Sequence, residues 1–156
     1  MTFEIRTDDL GHPSTRALLA LHLRGMQANS PSDAVFALDL SGLQQPDITV
    51  WTAWRDEHAV GVAALRRLGD DQAELKSMRT HPDWLRQGVA AGLLEHVIAE
   101  ARASGIRRLS LETGSGPAFE PALALYRRRG FANGEAFGSY EASPFNQFLH
   151  LDLTPE

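Results

Sequence analysis

The 156-residue sequence has no cysteine. That excludes disulfides, thiolate metal ligands and a cysteine nucleophile. Lysine is nearly absent too: Lys76 stands alone, and arginine carries the remaining positive charge. Acidic residues outnumber basic ones by 20 to 15, giving a net charge of −5, so nothing draws the whole chain toward nucleic acid. No apolar run reaches the ~20 residues of a membrane-spanning helix. The opening MTFEIRTDDLGHP lacks a basic segment followed by an apolar one. No secretory leader is therefore expected, and the expected location is the cytoplasm. His12, His22, His58, His96 and His150 have no metal-ligand spacing, so no metal is expected.

Hydrophobic residues make up 43% of the chain, enough for one substantial core. The length fits a single domain over residues 1–156. Basic residues cluster at Arg66-Arg67, Arg107-Arg108 and Arg127-Arg128-Arg129. These read as solvated faces, with a phosphate-bearing ligand as the alternative.

Thr2–Arg6 alternates and reads as a short strand. Ser14–Met26 has helical spacing. Ser30-Pro31-Ser32-Asp33 is a turn able to cap a second helix, which carries Val35, Phe36, Leu38, Leu40 and Leu43. Ile48–Arg55, His58–Leu68 and Gln72–Thr80 then read as an antiparallel meander. His81-Pro82 stops it. Gly88–Ser104 has helical period, with Val89, Leu93 and Val97 in one row and Leu94, Ile98 and Ala101 in another. Arg107–Thr113 is a strand and Pro117–Arg129 a helix closed by Gly130. Phe131–Phe137 and Asn146–Leu153 are the last strands. The order predicts a mixed α/β protein.

The stretch ELKSMRTHPDWLRQGVAAGLL, Glu74–Leu94, carries the most chemistry. A strand leads through Arg86, Gln87 and Gly88 into a long helix. The first turn of a helix has unpaired N–H groups and partial positive charge, which suit a phosphate. Gly88 lets a ligand come close to the backbone, Ala90 and Ala91 keep the surface low, and Arg86 adds charge. Neither the G-K-[ST] ending of a Walker loop nor the dinucleotide G-x-G-x-x-G is present.

This stretch resembles the pyrophosphate loop of the GNAT superfamily of acetyl-CoA-dependent N-acetyltransferases, R/Q-x-x-G-x-G/A. Here the loop reads Leu85-Arg86-Gln87-Gly88-Val89-Ala90, with Leu85 where Arg or Gln is usual. Met78-Arg79-Thr80-His81-Pro82 is similar to the family's fourth strand. Pro121–Phe131 resembles its A-x-x-L-Y-x-x-x-G-F signature. The resemblance covers roughly residues 60–137 and extends to a bacterial branch of small-molecule acetyltransferases. It implies one mostly antiparallel twisted sheet of about seven strands, splayed between strands 4 and 5 and flanked by about four helices.

The resemblance also implies site residues. Acetyl-CoA would be held by Met78, Arg79, Thr80, Arg86, Gln87, Gly88, Val89, Ala90, Ala91, Thr113, Phe119 and Ala122. Phe119 replaces the Asn that often contacts pantetheine. Tyr126 matches the tyrosine that points at the sulfur, so it is the candidate acid; a core tyrosine is the alternative. Glu74 is the candidate base, because relatives often hold a catalytic glutamate there. Its alternation places it with Lys76 and Met78 on one face; an exposed carboxylate paired with Lys76 is the other reading. His81 and Glu112 are further candidate bases. Substrate specificity belongs to Leu21–Leu43 and Ala136–Asn146. Arg24-Gly25-Met26 is expected to interrupt the first helix, with Arg24 binding a substrate carboxylate or lying on the surface. Met26 and Tyr140 are candidate substrate contacts. Trp51, Trp54, Phe137 and Tyr140 line an apolar pocket or belong to the core.

The expected function is acetyl transfer from acetyl-CoA to a primary amine of a small molecule through a ternary complex. A non-catalytic acyl-CoA-binding module and a protein N-terminus or lysine acetyltransferase are the alternatives. No nucleic acid or membrane partner is expected. The apolar strand Phe148–Leu153 leaves a homodimer open.

Overall fold

The computed structural model describes residues 3–32 and 39–154. Val35, Phe36 and Leu38, expected on a second helix, lie outside them. The strands are β1 (Glu4–Thr7), β2 (Ile48–Arg55), β3 (His58–Arg67), β4 (Gln72–Thr80), β5 (Arg108–Thr113), β6 (Ala132–Asn133) and β7 (Gln147–Asp152). They form one sheet in the order β1-β2-β3-β4-β5-β7-β6. β1 to β4 are an antiparallel meander, as the turns at Asp56-Glu57 and Gly69-Asp70-Asp71 require. β5 runs parallel to β4 and antiparallel to β7.

The helices are α1 (Pro13–Asn29), α2 (Leu40–Leu43), α3 (Val89–Ala103) and α4 (Glu120–Arg129). Leu18 and Leu19 of α1 and Leu43 of α2 pack with Val50, Trp54, Val62 and Ala64 on one sheet face. On the other, the double row on α3 meets Ala73, Leu75, Leu109 and Leu149, and Leu123 of α4 joins them. Leu93, Leu94, Val97 and Ile98 are all at most 1% exposed. Each such side chain contributes roughly 1.5–3 kcal/mol of burial.

Two of the expected elements change in ways that bear on the site. α1 does not break at Arg24-Gly25-Met26 but runs to Asn29, whose Nδ2 donates to the Gly25 carbonyl at 2.8 Å. Gly25 is there for room: a Cβ on it would lie 2.9 Å from Nη2 of Arg79. The sixth strand, expected over Phe131–Phe137, is only Ala132–Asn133. Beyond it the chain leaves the ladder because Phe137 turns inward. Its ring stacks edge-on against Phe148 and His150, and His150 Nε2 bonds the Glu135 carbonyl at 2.8 Å.

Candidate active site

β4 and β5 pair at only three positions, Gln72↔Arg108, Ala73↔Leu109 and Glu74↔Ser110. From Leu75 onward β4 has no ladder partner on the β5 side. The strands part there around a cavity of about 860 Å³. The opening coincides with a bulge. Ala64 faces Lys76 and Val62 faces Arg79, so Ser77 and Met78 together stand against Ala63. Ser77 has φ 55°, the left-handed region that a side chain disfavours.

The bulge corrects the expected alternation. Glu74 and Lys76 share a face, but Met78 does not join them; the extra residue turns it toward the α3 side, where it packs on that core. Arg79 takes the third place beside Glu74 and Lys76. Ser77 Oγ is buried and has no hydrogen-bond partner among the described residues. It lines the cavity and was missed from the sequence, because the bulge is a property of the β3–β4 register.

At the end of β4, Pro82–Trp84 makes one 3-10 turn. Arg86 (φ 61°) and Gly88 (φ 86°) are both left-handed. Turns of this kind aim successive amides at one point. α3 begins at once, with no side chain capping its first turn. The N–H groups of Val89, Ala90 and Ala91 have no intrahelical acceptor there. These three residues line the cavity with Met78, Arg79, Thr80, Arg86 and Gly88. Gln87 does not; its Nε2 reaches the Asp83 carbonyl at 3.5 Å. From the far side come Thr113, Ala122 and Phe119, whose ring meets Phe145 edge-on at 5.6 Å. Gly114 lets that ring approach: a Cβ there would lie 2.7 Å from it.

Tyr126 lines the cavity from α4 although it is only 7% exposed. Burial pushes its phenol up to about 12, opposed by nearby Arg79, so it stays protonated near neutral pH. Glu74 is buried, which removes the alternative reading of an exposed carboxylate, although it is paired with Lys76. Its Oε2 accepts from Tyr140 Oη at 2.5 Å and from Lys76 Nζ at 3.2 Å. Lys76 also donates to Tyr140 Oη at 2.7 Å. Tyr140 is thus tied to the site through Glu74 and Lys76 from the loop before β7. Glu112 lines the same cavity, and burial pushes its carboxyl up to about 7, with Lys76 opposing.

His22, Gly25 and Met26 of α1 close the cavity on the side of Glu74 and Lys76. Arg79 Nε donates to His22 Nδ1 at 3.0 Å. Burial and the cations Arg79 and Lys76 lower His22 to about 4, so it is neutral. Arg24 is exposed and does not line the cavity; helical spacing turns it away from the face that carries His22 and Met26. His81 also lies outside, capping the 3-10 turn by accepting from Asp83 N at 3.1 Å. Trp51, Trp54 and Phe137 are buried in the core. Among the described residues no three His, Asp or Glu side chains are grouped to hold a metal ion, and no helix is long and apolar enough to cross a membrane.

A splayed β4–β5 pair and an uncapped helix start around one cavity form the frame that the sequence led us to expect, and the bulge of β4 adds to it. Residues 15–131 match the model of the acetyltransferase (GNAT) family. The chain belongs to the GNAT acetyltransferase family. Members of the family use acetyl-CoA. This GNAT chain is 44% identical over 151 residues to the uncharacterized N-acetyltransferase YedL of Escherichia coli K12, covering 97% of the chain and 95% of that protein. It is 43% identical over 149 residues to the uncharacterized N-acetyltransferase YsnE of Bacillus subtilis 168, covering 96% and 99%. Its fold is also that of a GNAT family acetyltransferase from Elizabethkingia anophelis with acetyl-CoA bound. There the TM-score is 0.72, at 18% identity over 97% of this chain and 98% of that one.

Proposed function

We propose that the chain moves the acetyl group of acetyl-CoA to a primary amine of a small molecule by direct attack in a ternary complex. The observation that carries this reading is the convergence of three things on one cavity: the α3 amides, the bulge of β4 and the Tyr126 phenol. The α3 start and Arg86 suit the pyrophosphate. The bulge frees backbone donors where charge develops on the thioester oxygen, which supports an oxyanion role for an amide near Met78.

The amine must lose a proton to attack. We assign that proton to Glu112 rather than Glu74. Both lone pairs of Glu74 Oε2 are engaged by Tyr140 and Lys76, whereas Glu112 has a carboxyl pushed up to about 7 and suited to accept at neutral pH. The nitrogen bonds to the acetyl carbon and the C–S bond then breaks. The departing thiolate takes the proton of Tyr126, which has no other hydrogen-bond partner among the described residues. Glu74 holds Lys76 and Tyr140 in place.

Calorimetric titration with acetyl-CoA, followed by thiol release over a panel of amines, tests this. Saturable binding that is weakened by Arg86→Glu, together with turnover of a small amine, is expected. Absence of binding at millimolar acetyl-CoA would overturn it.

A further inference from the structure

Arg79 lines the cavity, and its guanidinium takes no part in the acetyl-transfer steps above. The residue is half-buried. Among the described residues it has no carboxylate partner, and its one hydrogen bond runs from Nε to His22 Nδ1 at 3.0 Å. The other charges around it are matched or absent. Lys76 is paired with Glu74 at 3.2 Å. His22 contributes none near neutral pH, because burial and the two cations keep it neutral. Glu112 lines the same cavity, where Lys76 and a side-chain hydrogen bond with Asn146 favour its carboxylate. A half-buried cation with free donors is poised for an anion.

The anion does not belong to the pyrophosphate end of the cavity. The β3–β4 register turns Arg79 to the face of Val62 and Ala64, under α1, whereas α3 packs on the opposite face. Gly25 of α1 leaves just the room the guanidinium fills. Arg79 lines the same cavity as Tyr126 and is near enough to favour its phenolate electrostatically.

We infer that Arg79 binds a carboxylate of the acceptor, which is therefore a small amino acid: an amine whose own carboxylate sits within a few bonds of the attacking nitrogen. This rests on the acetyl-transfer reading above. It also separates a free amino acid from a protein N-terminus, whose first residue has an amide where the free acid has its carboxylate.

The test pairs each of the twenty amino acids, and β-alanine, with its carboxamide as acceptor in the thiol-release assay. Acetyl-CoA binding is measured separately by calorimetry. At least one free acid is expected to exceed its amide at least about tenfold in kcat/KM, the size of one charge-assisted contact. Arg79→Gln is expected to remove that ratio by raising KM for the acid; Arg79→Lys restores part of it. Gly25→Ala adds a methyl group where the guanidinium rests. Acid and amide are assayed on the same protein, so a smaller folded fraction lowers both rates alike and cannot by itself collapse their ratio. Amides used as well as acids, no acid used by a protein that binds acetyl-CoA, or an Arg79→Gln loss equal for acid and amide would each overturn the inference. Failure to bind acetyl-CoA would instead overturn the acetyl-transfer reading beneath it.

Discussion

The two halves of β4 are built differently. Ala73 and Glu74 are paired on both sides, with β3 and β5, and Gln72 pairs with β5 while its carbonyl accepts from Leu68 N. Leu75–Thr80 is paired with β3 alone and carries the bulge. The first half is locked by a full ladder over a dry core, where Ala73 and Leu109 are 0% exposed. The second leaves backbone groups, Ser77 Oγ and the Arg79 guanidinium without full partners among the described residues. One strand thus provides both a rigid anchor and an unsaturated edge. The unsaturation is tolerable because it faces a cavity that water or a ligand can enter.

Four substitutions probe this contrast. The largest effect is expected on the open half. Tyr126→Phe should lower kcat by about 10²–10⁴-fold, the usual value of a positioned proton donor. Its affinity for acetyl-CoA, measured by calorimetry, should stay within about twofold of the parent. Equal turnover would remove the acid role.

Leu109→Ala strikes the anchored half and should do the reverse. It should cost about 3 kcal/mol in urea unfolding, through lost burial and a cavity. The specific activity of the folded fraction should be retained.

Glu112→Gln should separate function from stability. Free in solution its carboxyl titrates near 4.5, and in the fold near 7. Below 4.5 both states are protonated and burial costs nothing. As pH rises toward 7 only the unfolded chain ionises freely, so Glu112 lowers stability, fully so above 7. The variant should therefore be more stable by about 1–3 kcal/mol at pH 8 and unchanged at pH 4. It should also lose the rising limb of activity near pH 7, because the base works unprotonated. A rising limb that persists would return the role of base to Glu74.

The smallest effect is expected at Gly88→Ala. The left-handed backbone at φ 86° would cost about 1 kcal/mol with a side chain. Acetyl-CoA affinity should fall about fivefold, with little change in kcat at saturation.

Much of the anchored architecture was legible because local chemistry and global role agree there. β2 and β4 have the expected limits, and α3 is one residue shorter at each end than its periodicity suggested. The open half was less legible. The face of Met78 was misjudged because a bulge depends on pairing with β3, and alternation within one strand does not reveal it. Gly25 looked like a helix break, since the side chain that needs its space lies 54 residues away at Arg79. Arg24 could be read from sequence as a carboxylate binder or as a surface arginine, and helical rotation gives it the surface. The buried Glu74–Lys76–Tyr140 group joins a strand to a loop, so only Glu74 and Lys76 were readable as a pair. Phe137 gave up its strand position for aromatic contacts that no local pattern encodes.

The three-residue contact between β4 and β5 also has a mechanical meaning. The sheet is two plates, β1 to β4 and β5 to β7, meeting along a short seam. Gln72 Nε2 donates to Ser110 Oγ at 3.1 Å, and Ser110 Oγ bonds His150 Nδ1 at 2.7 Å, so a line of side chains stitches the plates across that seam. The angle at which they meet fixes the width of the mouth beyond it. Residues that touch no reacting atom, at the closed end of the V, therefore govern how wide its open end stands.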